Sequence, residues 1–151
     1  MRFVVDSMLG KMAKWLRVLG FDAYYQRYYP SGKIATLVGE DRILLTRNRS
    51  MVKNFCGALF VESDHVGEQL KDVNKKISLF TNQDMMFSRC ILCNALLEDP
   101  KIELQEVNIP DYVLYKHSQG YKICPSCNRY YWPGSHRERM VRQLQAWNLL
   151  P

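Results

Sequence analysis

No run of about twenty consecutive apolar residues occurs in this chain, so no segment is suited to cross a bilayer as a helix. The opening Met1-Arg2-Phe3-Val4-Val5-Asp6 is interrupted by an acid too soon to serve as a secretory leader. The expected location is therefore the cytoplasm, with no membrane partner. Internal repeats and low-complexity tracts are missing too, which leaves one ordinary domain or two small ones in 151 residues. Acids are in deficit: 15 Asp and Glu stand against 21 Lys and Arg, a formal net charge of +6. Such a balance attracts polyanions, nucleic acid first among them, although it serves solubility equally well. Hydrophobic residues make up 47% of the chain, enough for a true core, and this excludes wholesale disorder.

Disulfides are rare in the cytosol, so five cysteines ask for another explanation. Four fall into two C-x-x-C pairs, Cys90-Ile91-Leu92-Cys93 and Cys124-Pro125-Ser126-Cys127. Two intervening residues let one tight turn aim both sulfurs at one ion, and two such turns complete a tetrahedron. Asn94 and Asn128, each directly after a pair, suit the left-handed conformation such a turn wants. Four thiolates close the coordination sphere, so the expected ion is Zn²⁺ in a structural role. An iron–sulfur cluster has other spacings, and a redox C-x-x-C would come once. His117 and His136 are surplus to four thiolates, and His136 is expected near a helix start. Cys56, alone beside Phe55, is expected in the core.

The first half of the chain alternates strand and helix. Phe3-Val4-Val5, Ala23-Tyr24-Tyr25, Arg42 to Thr46 and Ala58 to Val61 read as strands, and the aliphatic run Ile43-Leu44-Leu45 suits the middle of a parallel sheet. Leu9, Met12, Ala13, Leu16 and Leu19 recur at three and four, predicting a helix from Met8 to Leu19 that Gly20 ends. Further helices are expected near Ile34 to Val38, with Ser31 as N-cap, near Met51 to Phe55, and over Val66 to Leu79. The sum is an α/β fold with helices on a parallel sheet. Near Gln83 the pattern changes to prolines, cysteine pairs and alternation such as Ile102 to Val107, which reads as β hairpin. The expected division is 1–84 and 85–151, the second unit being too small to hold together without a metal.

Open α/β sheets bind ligands at the C-terminal ends of their strands. Those ends bring Asp6, Asn48, and Glu62 or Asp64 to one edge. Carboxylates gathered there suit Mg²⁺ or Mn²⁺ and phosphodiester hydrolysis. Asp6 serves equally well as an N-cap for the following helix, and Asp64 for the helix from Val66. Arg47 and Arg49 flank Asn48 and can grip phosphates. The first helix puts Lys11, Lys14, Trp15 and Val18 opposite or beside its apolar stripe, with Lys11 and Lys14 on one face. The tail offers Arg129, Arg137, Arg139 and Arg142 close to Tyr130, Tyr131 and Trp132, the make-up of a surface for unpaired RNA, or equally of aromatics packed in the core or against the ribbon with a basic solvated helix after them.

The segment from Arg2 to Asp22, with its Asp6-Ser7-Met8-Leu9-Gly10-Lys11 opening and Leu16-Arg17-Val18-Leu19-Gly20, resembles the signature of the Mut-seven C-terminal RNase family. Arg42 to Arg47 resembles that family's central strand. Arg89 to Asn94, Cys124 to Arg129, Tyr131-Trp132, Gly134-Ser135-His136 and Met140 resemble its zinc ribbon and tail. The resemblance implies a PIN-like sheet carrying a metal-dependent ribonuclease site, a zinc ribbon and a C-terminal helix. It makes Asp6 the first catalytic aspartate, with Asn48 at the place of another and Asp64 as a further candidate. The family usually has an acidic pair twelve and eleven residues before the arginine opening the central strand; here Pro30 and Ser31 stand there. An amide such as Asn48 brings no charge and cannot act as a base. The leading expectation is a metal-dependent RNase. The alternatives are an RNA-binding protein on the same fold without catalysis, and a protein–protein adaptor, for which no patch stands out.

Overall fold

The computed structural model describes residues 1–79, 83–100 and 120–150. The described chain runs β1 (Arg2–Val5), a 3-10 turn (Ser7–Leu9), α1 (Gly10–Val18), β2 (Asp22–Tyr25), α2 (Lys33–Gly39), β3 (Ile43–Thr46), α3 (Arg49–Asn54), β4 (Leu59–Phe60) and α4 (Val66–Ile77). A second 3-10 turn (Gln83–Met85), β5 (Lys122–Ile123), β6 (Tyr130–Tyr131) and α5 (Ser135–Ala146) follow. The chain divides into two compact units, Met1–Asn94 and Ala95–Pro151. No helix among the described residues is long and apolar enough to cross a membrane.

The first unit holds a parallel sheet in the order β2-β1-β3-β4. Its register pairs Phe3 with Ala23 and Ile43, and Leu45 with Leu59. Helices cover a parallel sheet on both faces, so its strands are apolar on both sides. Phe3, Val4, Val5 and Leu45 are accordingly fully buried. Alternation along the strands sends Val4 and Leu44 to one face, where they pack with Leu37 of α2 and with Met51 and Phe55 of the α3 region. Against this sheet α1 buries its whole predicted stripe, from Leu9 to Leu19. Val18, expected beside that stripe, is itself fully buried, which widens the apolar face of the helix.

Gly20 ends α1 with φ of +90°, where a side chain is disfavoured, and a Cβ there would run into the Met85 carbonyl. Two caps differ from expectation. For α2 the cap is Gly32, left-handed at φ +77°, not Ser31. The turn closed by Lys33 N on Pro30 O needs a residue free to take that conformation. At α4 the cap is His65, and Ser63 Oγ accepts the His65 N–H, so Asp64 does not cap it. Cys56 is exposed, not core: it sits in a turn beside Gly57, whose φ is +76°, and that turn carries it away from the sheet.

In the second unit β5 and β6 form an antiparallel pair around Cys124 to Cys127. Glu98 and Ile123 exchange backbone hydrogen bonds at 2.8 and 2.9 Å, extending the pair by one bridge. The hairpin expected over Ile102 to Val107, and His117, lie outside the described residues.

Candidate functional site

β1 ends on Asp6, whose N–H still bonds Leu45 O at 2.9 Å in the sheet ladder. The residue is buried, 6% exposed. Its Oδ2 accepts the Thr46 hydroxyl at 2.7 Å and its Oδ1 accepts the Ser7 hydroxyl at 3.1 Å. The side chain makes no capping bond to the 3-10 turn that follows, so the cap alternative does not hold. Thr46 connects strands: its oxygen also accepts the Asn48 N–H at 2.9 Å.

Two tyrosines brace the Asp6 turn. Tyr25 donates to Ser7 O at 3.1 Å and lies so close to Gly10 that a Cβ there would meet its hydroxyl at 2.6 Å. Tyr29 donates to Val5 O at 2.7 Å and accepts the Gln26 N–H. Burial pushes the Tyr29 phenol up to about 12, helped by the neighbouring Tyr24, Asp6 and Tyr25 and opposed by the Gln26 bond.

Beyond Asp6 the edge is more balanced than an acidic cluster. Asn48 spends its side-chain oxygen on Ser50 N, capping α3. Arg47 pairs with Asp64 and reaches Glu62 O, while Arg49 lies 3.7 Å from Glu62 and 4.5 Å over the Phe60 ring. The Glu62 and Asp64 carboxylates are 82% and 78% exposed, and exposed pairs of this kind are worth less than about 1 kcal/mol. Among the described residues, no three carboxylate or histidine side chains come close enough to share an ion. Lys11 and Lys14 are exposed on α1. Arg129, Arg137 and Arg139 are exposed in the second unit, where Arg139 also bonds Ser135.

Cys90, Cys93, Cys124 and Cys127 do come together: their sulfurs all lie within 4.8 Å of one another. Thiolates about 2.3 Å from a central ion span tetrahedron edges of roughly 3.8 Å, so this donor set fits one metal ion. Asn94 and Asn128 take the left-handed conformation expected of them, at φ +72° and +55°. Their N–H groups close the two turns on Cys90 O at 3.0 Å and Cys124 O at 2.9 Å. The Cys93 N–H also points at Cys90 Sγ, 3.4 Å away. The four cysteines are positioned to bind a metal.

A further network at the opposite, N-terminal end of the strands escaped the sequence. Asp22 opens β2 and takes Arg42 in a two-pronged pair at 2.7 and 3.1 Å. Asn94 donates to Asp22 at 2.7 Å and accepts the Ala23 N–H at 3.0 Å. Burial works to raise the Asp22 carboxyl, but the hydrogen bonds from Arg42 and Asn94 and the charges of Arg42 and Arg89 outweigh it and hold the carboxyl below the usual range. Arg17 is buried and bonds Ala23 O twice, at 3.0 and 2.8 Å, and Ile91 O and Leu92 O at 3.1 and 2.8 Å. Arg89 bonds Gly20 O and Asn94 O, and Phe87 N bonds Val18 O. The available signal was a charge at residue 17, four after buried Ala13 in α1.

A family model described as Mut7-C RNAse domain matches residues 1–144. No curated protein and no solved structure matches.

Proposed function

The chain belongs to the Mut7-C RNAse domain family, and on that footing we propose that it is a PIN-like, metal-dependent ribonuclease whose chemistry centres on Asp6. One observation carries this reading. The Asp6 carboxylate is fixed at the C-terminal edge of a parallel sheet by Thr46 and Ser7 and is not consumed as a helix cap. Mg²⁺ and Mn²⁺ are commonly held by one or two carboxylates together with substrate phosphate and water, and Asp6 would be the carboxylate of such a site. Bound there, it would polarise the phosphodiester and lower the pKa of an attacking water. The weak surface pairs of Arg47 and Arg49 open at little cost, which frees both guanidiniums for RNA phosphates and Asp64 for the site. Lys11, Lys14, Arg129, Arg137 and Arg139 are the further phosphate contacts of this reading. The ion at the four cysteines is zinc in a structural role, and the protein works in the cytoplasm.

A second reading, RNA binding without cleavage, is favoured by Asn48, whose oxygen caps α3 and which cannot act as a base. Single-stranded RNA incubated with Mn²⁺ and either wild type or Asp6→Ala separates the two. Cleavage by wild type alone supports the nuclease, and cleavage that survives the substitution sinks the Asp6 assignment. Binding that weakens steeply with salt, with no cleavage, supports the second reading.

A further inference from the structure

Buried guanidiniums are costly unless their charge is answered. Arg17 is 4% exposed, and each of its hydrogen bonds ends on a neutral backbone carbonyl. Two of those carbonyls, Ile91 and Leu92, are the residues between Cys90 and Cys93. The other acceptor, Ala23, belongs to β2, and its own N–H is held by Asn94, the residue that closes the same cysteine turn. Arg17 thus grips the inside of the turn while Asn94 grips its end, and both grips end on one residue of the sheet. The charge argument runs the same way. A divalent ion with four thiolates carries a net charge of −2, so the metal-loaded turn supplies the negative neighbour that Arg17 lacks among its hydrogen-bond partners.

We propose that Arg17 is the positioning residue of the four-cysteine metal centre, fastening the Cys90–Cys93 turn to β2 so that metal occupancy and the stability of the sheet's N-terminal end rise and fall together. Asp22, Arg42 and Arg89 complete the fastening: Asp22 holds Asn94 from below, Arg42 neutralises Asp22, and Arg89 ties the turn to Gly20 at the end of α1. Metal loss leaves Arg17 with a buried charge facing neutral thiols, and β2 loses its outer support. The family's opening signature therefore has two jobs in this chain: Asp6 faces the proposed chemistry, while Arg17 and Asp22 face the metal centre.

The inference rests on the metal reading of the cysteines, and one experiment on the full chain tells the two apart. Zn²⁺ affinity is measured by competition with a chromophoric chelator for wild type, Arg17→Met and Arg17→Lys, with the thiolate-to-cobalt absorption of the Co²⁺-loaded proteins as a second readout. The expected result is tight wild-type binding, a loss of about 10- to 100-fold in Arg17→Met, and partial rescue in Arg17→Lys. Folded Arg17→Met with wild-type affinity and an unchanged cobalt spectrum overturns the role of Arg17. Wild type that takes up neither ion overturns the metal reading itself. If Arg17→Met does not fold, hydrogen exchange on wild type decides. Chelation should speed exchange of the Ala23 and Phe87 amides, whose acceptors are Asn94 Oδ1 and Val18 O, and unchanged protection at both rejects the coupling.

Discussion

The Thr46 hydroxyl sits 2.7 Å from Asp6 Oδ2 and takes the Asn48 N–H at 2.9 Å, so one side chain ties the end of β1 to the turn after β3. Both the donor and the acceptor half of that hydroxyl are used, and valine, its nearest shape match, supplies neither. Thr46→Val should destabilise the protein by about 1–3 kcal/mol, because the fully buried site leaves the Asp6 oxygen and the Asn48 N–H without their partner. Thr46→Ser should retain most of the stability. Urea unfolding of the two variants checks this; equal midpoints would show that the hydroxyl contributes nothing.

Gly20 offers a backbone test. Its φ of +90° and the closeness of the Met85 carbonyl leave no room for a methyl group. Gly20→Ala should cost more than about 1 kcal/mol from conformation alone, with the clash added. A thermal melt unchanged by the substitution would contradict the close approach.

Asp22 predicts a stability change in acid. Its folded pKa lies below the unfolded value of about 3.9, so its contribution is complete above that pH and is lost as pH falls through the folded pKa. Wild type should therefore lose stability below about pH 4 more steeply than Asp22→Asn, which starts less stable at neutral pH. Denaturant midpoints across that range measure the difference, and parallel curves would reject it.

Tyr29 predicts the alkaline counterpart. A phenol pushed up to about 12 contributes stability that is complete below the unfolded value near 10 and is lost as pH rises through 12. Tyr29→Phe removes the bond to Val5 O and should cost about 0.5–1.5 kcal/mol at neutral pH. In return its alkaline loss should be shallower. Spectrophotometric titration should show one late-ionising phenol fewer in the variant.

Much of the fold was legible because its signals are local. Ile43-Leu44-Leu45 is apolar on both faces, the α1 stripe repeats at three and four, and Asn94 and Asn128 follow their cysteine pairs at once. The errors came where one residue's conformation outweighed its neighbour's chemistry. Gly32 took the cap from Ser31 by accepting a left-handed φ, and the turn at Gly57 moved Cys56 outward. At the edge, the sequence brought Asp6, Asn48 and Asp64 into view but not their partners. Whether a carboxylate caps a helix or takes a threonine forty residues away depends on the register of β1 against β3, which only the folded sheet sets. Arg17 shows the same limit more strongly, since its acceptors at Ile91 and Leu92 lie more than seventy residues on.

The strands of this sheet are short, yet a four-residue strand still sets its two ends about 10 Å apart. Substitutions that far apart act nearly independently. Asp6 and Asn48 follow the C-terminal ends of β1 and β3, away from the Arg17–Asp22 clasp. Selection can therefore treat the two ends as separate traits. Side chains around Asp6 can then be exchanged one by one while the hydrogen bonds of Arg17 and Asp22 at the other end stay in place.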